Sequence, residues 1–261
     1  MRVLLALFLL GGPLAADWRD ALAPHKPGSH PSLDPVTLRY TLSWKGMIDA
    51  GSLIFSFGRP DADHPRDYKV AVSGGSSGLA SKLFPYKVSL ASHLDPARLR
   101  PRRFRGVEIE GDEVTVTEST FYGTKVRSTE SNRPHKAAPE RRWNSEFRFA
   151  PAFDAFSAIL QVRSQALKAG DALNYALVPF NTPYLASIRV LGRERHQGRD
   201  AIKLAVSMQK IDPESFKLLP YTKLKSATLW ISDDADRVPL ELRSEVFIGD
   251  VRMTLSSLKK H

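Results

Sequence analysis

Five arginines, Arg98, Arg100, Arg102, Arg103 and Arg105, fall within eight residues, interleaved with Leu99, Pro101 and Phe104. Guanidinium forks take phosphate and carboxylate oxygens two at a time, so the chemistry this stretch offers is anion binding. Pro101 has no N–H to give a sheet, which predicts an edge strand or a loop rather than a central strand. There the arginines serve either as a charge-protected edge or as a patch for anionic lipid head groups, lipopolysaccharide or acidic glycans. In the second case, neutralising Arg100, Arg102 and Arg103 is expected to weaken binding to anionic liposomes.

Catalytic and metal-binding patterns are sparse. Gly74-Gly75-Ser76-Ser77-Gly78 satisfies G-x-S-x-G, but only Leu79 to Phe84 can be helical before Pro85. A nucleophile elbow needs a long helix and a parallel sheet, so the stretch reads as a Gly/Ser turn. Asp233, Asp234 and Asp236 lack the glycine and terminal glutamate of a calcium loop and read as a β-turn. None of the seven histidines has zinc-site spacing. Glu108 and Glu110 alternate with Val107 and Ile109, which places them on the solvated face unless a barrel encloses them. With no cysteine in the chain, thiolate metal sites, disulfides and cysteine nucleophiles are excluded. The expectation is a non-enzyme with no catalytic residue, no cofactor and no metal.

Large apolar side chains offer a different chemistry. Trp44, Phe55, Phe156, Leu160 and Trp230 lie in strongly patterned segments and are candidates for lining an apolar cavity. The alternative is that they fill the core.

The elements that must position these residues are mostly strands. Val36, Leu38, Tyr40, Leu42 and Trp44 alternate with Thr37, Arg39, Thr41 and Ser43, the period of a half-buried strand. Similar alternation recurs at 68–72, 86–90, 107–116, 173–177, 202–208 and 229–255, with turn pairs such as Gly111-Asp112 between. Ten or more strands with short turns predict a mainly β fold, a single strongly curved antiparallel sheet or open β-barrel. One helix is predicted over 154–168. Phe156, Ile159, Leu160, Arg163 and Leu167 form its stripe, Asp154 its cap and Gly170 its stop. It is expected to pack inside the sheet.

The chain has 261 residues, with 38 Lys+Arg against 28 Asp+Glu and a formal net charge of +10. Arg2, the apolar run Val3–Leu10 and Leu14-Ala15-Ala16 predict a signal peptide over 1–16, which points to export to the periplasm or beyond. Residues 17–35, with four prolines, read as an extended leader, and 36–258 as one antiparallel β domain. No segment of the mature chain is apolar enough for a transmembrane helix. An outer-membrane barrel is disfavoured by the ending Leu258-Lys259-Lys260-His261 and by short strands. Export also argues against nucleic acid as the target of the positive charge.

Four blocks carry a family resemblance: LRYTLSWKGMIDAGSLIF (38–55), DAFSAILQVRSQALKAGD (154–171), VLGRERHQGRDAIKLAV (190–206) and TLWISDDADRVPLELRSEVFIGDVRMTL (228–255). In this order they resemble the exported bacterial family known as domain of unknown function 3108. The resemblance implies a mainly antiparallel β domain in envelope or secreted proteins and no established activity. The strand, acidic turn, Pro-bearing strand and hairpin from Thr228 to Leu255 are also similar, in architecture, to the ending of periplasmic lipoprotein carriers.

Two functions remain open on the sequence. One is an exported, non-enzymatic protein binding a lipid-like or other apolar or anionic ligand in a concave sheet, with peripheral contact to anionic lipid. The other is a structural or protein-interaction component of the periplasm, meeting envelope proteins and holding no small ligand.

Overall fold

A computed structural model describes residues 17–23, 26–30, 33–58, 62–221, 224–246 and 249–261. The expected signal peptide, 1–16, lies outside the described residues.

The chain runs through strands β1 (Val36–Trp44), β2 (Ile48–Phe57) and β3 (Tyr68–Ser76) to a short helix α1 (Gly78–Leu83). It continues through β4 (Tyr86–Asp95), β5 (Arg100–Glu110), β6 (Glu113–Phe121), β7 (Val126–Arg133) and β8 (Arg141–Phe147). A two-residue strand β9 (Ala152–Phe153) leads directly into helix α2 (Ala155–Ser164). The second half comprises β10 (Ala172–Leu177), β11 (Tyr184–His196), β12 (Arg199–Ile211) and β13 (Leu218–Pro220). It ends with β14 (Leu224–Ser232), β15 (Pro239–Val246) and β16 (Gly249–Lys260).

All sixteen strands belong to one sheet, ordered β8 to β1, then β16, β15, β14, β12, β11, β10 and β9, with β13 pairing β12. Neighbours pair antiparallel except β9 and β10. Two meanders therefore meet at β1–β16, where Val36 faces Lys260 and Trp44 faces Val251. The free edges, β8 and β9, are consecutive in the chain. The sheet curls into an up-and-down barrel left open at that one seam.

Alternation explains which side chains face in. Val36, Leu38 and Tyr40 of β1 are buried with Val70 and Val72 of β3, while Arg39 points to solvent. α2 fills the interior. Its Phe156 and Leu160 pack on the first meander, and its Ala158 and Val162 on the second.

The helix starts where the sequence predicts. Asp154 caps it, accepting from Ser157 N at 2.7 Å while Ser157 Oγ accepts from Asp154 N at 3.0 Å. It stops earlier than predicted, at Ser164 rather than 168. Gln165 turns extended, Leu167 takes φ 55°, and Arg237 donates to the carbonyls of Arg163, Gln165 and Ala166. A guanidinium from the β14–β15 turn thus claims the helix's last carbonyls before Gly170 is reached.

Pro101 also departs from expectation, because β5 is an interior strand between β4 and β6. Pro101 is its second residue, at a register shift against β4, and β6 begins to pair only at Arg103. On its β6 side the strand is therefore an edge at Pro101, a position where a missing N–H is tolerated. Gly74, Gly75 and Ser76 end strand β3 instead of forming a turn, and Ser77 precedes α1. The described parts of the 17–35 leader pack on the barrel, with a 3₁₀ turn at Trp18–Ala21 and with Ala23 and Leu33 buried. Ala23 N donates to Asn174 O, and Tyr68 Oη donates to Leu33 O. Among the described residues, no helix is long and apolar enough to cross a membrane.

Candidate functional site: an apolar cavity between helix and sheet

Between α2 and the concave face lies a cavity of about 370 Å³. Ala155, Phe156 and Ile159 come from the first turns of α2, Tyr40 and Phe55 from β1 and β2. The opposite wall comes from β10 to β12 and β14 to β16, where Ile188, Leu204, Leu229 and Met253 face in. Tyr40 bears the one titratable side chain in the lining, and its hydroxyl is committed as donor to Pro239 O at 2.8 Å. Burial pushes that phenol well above its ordinary range, so it stays neutral. Tyr40, Phe55 and Phe156 pack edge to face, with centroids 5.1 Å and 6.3 Å apart. Such a wall accepts alkyl or other apolar groups and offers nothing to a charged head group.

Of the five predicted lining residues, Phe55 and Phe156 do line the cavity. Leu160 is fully buried one turn on, against the first meander. Trp44 lies at the end of β1, 42% exposed, beyond a register shift between Leu42 and Ser43. Trp230 is buried on the outer face, because Leu229 and Ile231 on either side take the inward positions. Its ring stacks on His196 at 4.3 Å, and its Nε1 donates to Glu194 Oε1 at 2.7 Å. Arg243 lies 5.1 Å from the ring centroid. Alternation alone signals that Trp230 and Leu229 face opposite ways. The wall residues Ile188 and Met253 carry no distinguishing sequence signal, because an aliphatic residue facing a void has the same pattern as one in a packed core.

The five arginines do not converge on one surface site. Arg102 pairs with Asp67 at 2.6 Å and Asp95 at 3.1 Å, and Arg105 with Glu118 at 3.2 Å. Arg103 Nη1 lies 3.4 Å from His64 Nε2. Arg103 and Arg105 line a groove with His64, His93 and Arg127, Arg98, Arg100 and Arg102 line a smaller one beside Pro151, and Arg102 and Arg103 share a third with Asp67. Among the described residues, carboxylates thus answer two of the five guanidinia.

Ser76 of the G-x-S-x-G stretch is held by the backbone of Tyr86, which donates to its Oγ at 2.9 Å. Asp234 takes the turn role expected of it, accepting from the backbone N–H groups of Asp236 and Arg237. Glu108 is half-buried rather than solvated and accepts from Tyr86 Oη at 2.5 Å. Curling of the sheet encloses its face. Among the described residues, no group of three or more His, Asp or Glu is placed to hold a metal ion.

The fold has a solved counterpart. A β-barrel-like protein of a domain of unknown function, DUF1849, from Brucella abortus superposes with a TM-score of 0.57 at 9% identity, covering 88% of this chain and 99% of that one. The Mycobacterium tuberculosis lipoprotein LppX covers 88% of each chain at 12% identity, with a TM-score of 0.24, too low to speak to fold or function. No curated protein matches the chain by sequence. The model of the family described as "Protein of unknown function (DUF3108)" matches residues 39–256, and the chain, with its curled sheet and lone interior helix over that span, belongs to this family.

Proposed function

We propose that this protein is an exported, non-enzymatic carrier or sensor that holds a lipid-like apolar ligand between α2 and the concave sheet. The observation that carries the reading is the cavity itself. Its volume of about 370 Å³ falls within the roughly 300–1,000 Å³ of small-molecule sites. Every side chain around it is apolar except Tyr40, whose one proton is already donated. An apolar void of this kind does not hold water well, so its natural filling is hydrocarbon. The lining supplies neither nucleophile nor general base, which supports binding rather than turnover. The signal-like N-terminal sequence supports export.

The test is native mass spectrometry of the purified protein, with lipid extraction from the same sample. Co-purified lipid of defined stoichiometry is expected. Ile159→Trp, which fills the void from a half-buried position on α2, is expected to weaken binding of a fluorescent fatty-acid probe by about tenfold or more while the protein stays folded. Equal probe binding in the variant, with no lipid in the wild type, would leave the barrel as a structural or interaction module.

A further inference from the structure

One end of the barrel exposes large apolar side chains that a water-facing turn has no use for. At the β1–β2 hairpin they are Trp44, Met47 and Ile48, and on α1 and just after it Leu79, Leu83 and Phe84, each 42–79% exposed. The two groups are neighbours. Lys45 and Gly46 make the hairpin turn with φ 53° and 68°, pairing Trp44 with Ile48. Gly51 of β2 pairs with Ser76 of β3, and Ser77 N, at the start of α1, donates to Ala50 O at 3.0 Å. Leu79 and Leu83 are four residues apart and share a face of α1. Scattered exposed leucines are ordinary, but six large apolar residues on two adjoining loops form a contiguous edge.

Cations accompany the edge. Lys45, Lys82 and Lys87 are exposed, and none forms an ion pair among the described residues. Asp49 is the acid on the same hairpin, and Glu110, Asp112 and Glu113 gather at the adjoining β5–β6 turn, whose Gly111 N donates to Pro85 O at 2.8 Å. Tryptophan beside aliphatic residues, flanked by lysines that form no ion pair among the described residues, is the composition of a surface that enters the bilayer interface. The rings and aliphatic groups reach the acyl boundary and the ammonium groups meet lipid phosphates.

We infer that this edge docks the protein on an anionic bilayer surface, with α1 and the β1–β2 hairpin in the interface. The edge and the cavity share strands. Tyr40 in the cavity wall and Trp44 at the edge are four residues apart on β1, about 13 Å at strand rise. The purpose of docking, exchange of an apolar ligand with the membrane, rests on the lipid-binding reading. The docking itself does not.

Co-sedimentation with vesicles of phosphatidylcholine, alone or with phosphatidylglycerol, tests it. The purified protein is compared with Met47→Ser/Ile48→Ser, with Leu79→Ser/Leu83→Ser and with Lys45→Gln/Lys82→Gln/Lys87→Gln. All are made in the same chain, so any contribution of residues 1–16 cancels. Each serine pair is expected to lower partition onto anionic vesicles by about tenfold or more. The lysine triple variant is expected to lower it on anionic vesicles and not on neutral ones. Melting temperatures should match the wild type, since the side chains are exposed.

Undiminished partition of the serine variants would overturn the inference. So would loss of binding on neutralising Arg100, Arg102 and Arg103 instead, or a wild-type dimer that the serine pairs dissolve without any vesicle binding. If Ile159→Trp abolishes ligand binding while vesicle binding persists, both readings stand. If no ligand is ever found yet the serine pairs abolish partition, docking stands and the carrier reading falls.

Discussion

Asp154 shows how much one side chain carries here. It is fully buried at the N-terminus of α2, accepts from Ser157 N, and accepts a hydrogen bond from the Ser92 hydroxyl of β4. Burial pushes its carboxyl above the ordinary value of 3.8, against the pull of these donors. An acid that holds its proton more tightly when folded costs stability as pH rises. The loss begins near the unfolded value and is complete above the raised one. Asp154→Asn keeps an oxygen for Ser157 N–H and removes the charge, so the fall in stability from mildly acidic to neutral pH should shrink. Asp154→Ala leaves Ser92 and Ser157 N without an acceptor and should cost about 2–4 kcal/mol. Urea melts at both pH values decide this, and parallel pH slopes for wild type and Asn variant would refute the buried-charge account. The cap was legible in the sequence because a helix start is a local event. The buried partner was not, because Ser92 is 62 residues away.

At the scale of elements, local chemistry and long-range packing part company. Starts and alternation were readable: Leu38 and Tyr40 face in, and Trp230 opposes Leu229, as period two requires. Ends were not, since Arg237 rather than Gly170 stops α2. The same gap hides the role of Gly74-Gly75. A Cβ on Gly75 would lie 2.1 Å from Tyr86 O, because β4 passes there backbone to backbone. Gly75→Ala must therefore push β3 and β4 apart, at an expected cost of about 3 kcal/mol or more. Gly123→Ala, with nothing within 4 Å of its Cβ, should change stability by less than about 0.5 kcal/mol. Chemical denaturation of the pair checks the contrast, and similar losses for both would show that the close approach does not decide the cost.

At the scale of the molecule, the barrel depends on a closure that involves no β-ladder. β8 and β9 end the sheet on either side of the seam, and side chains bridge it. Phe147 of β8, Val126 of β7 and Phe149 of the connection form one buried cluster with Ala176, Leu185 and Ile211 of the second meander. Trp18 from the leader covers Phe149 edge to face at 6.1 Å. Trp143, Phe147 and Phe149 share one alternating parity in the sequence, yet only the latter two reach the seam; Trp143 is 44% exposed. Periodicity reports a face, not a position along the barrel axis. Since dispersion and apolar burial hold the seam, its stability should fall with side-chain volume. Phe147→Ala is expected to cost about 3–5 kcal/mol. That loss should be local in hydrogen exchange, speeding the amides of β7 and β8 more than those of β1 and β16, whose ladder joins the two meanders. Leu38→Ala, also fully buried but beside that central ladder, should instead speed exchange throughout. If Phe147→Ala accelerates β1 and β16 as much as β7 and β8, the barrel opens as a single cooperative unit and the seam is no weaker than the rest of the wall.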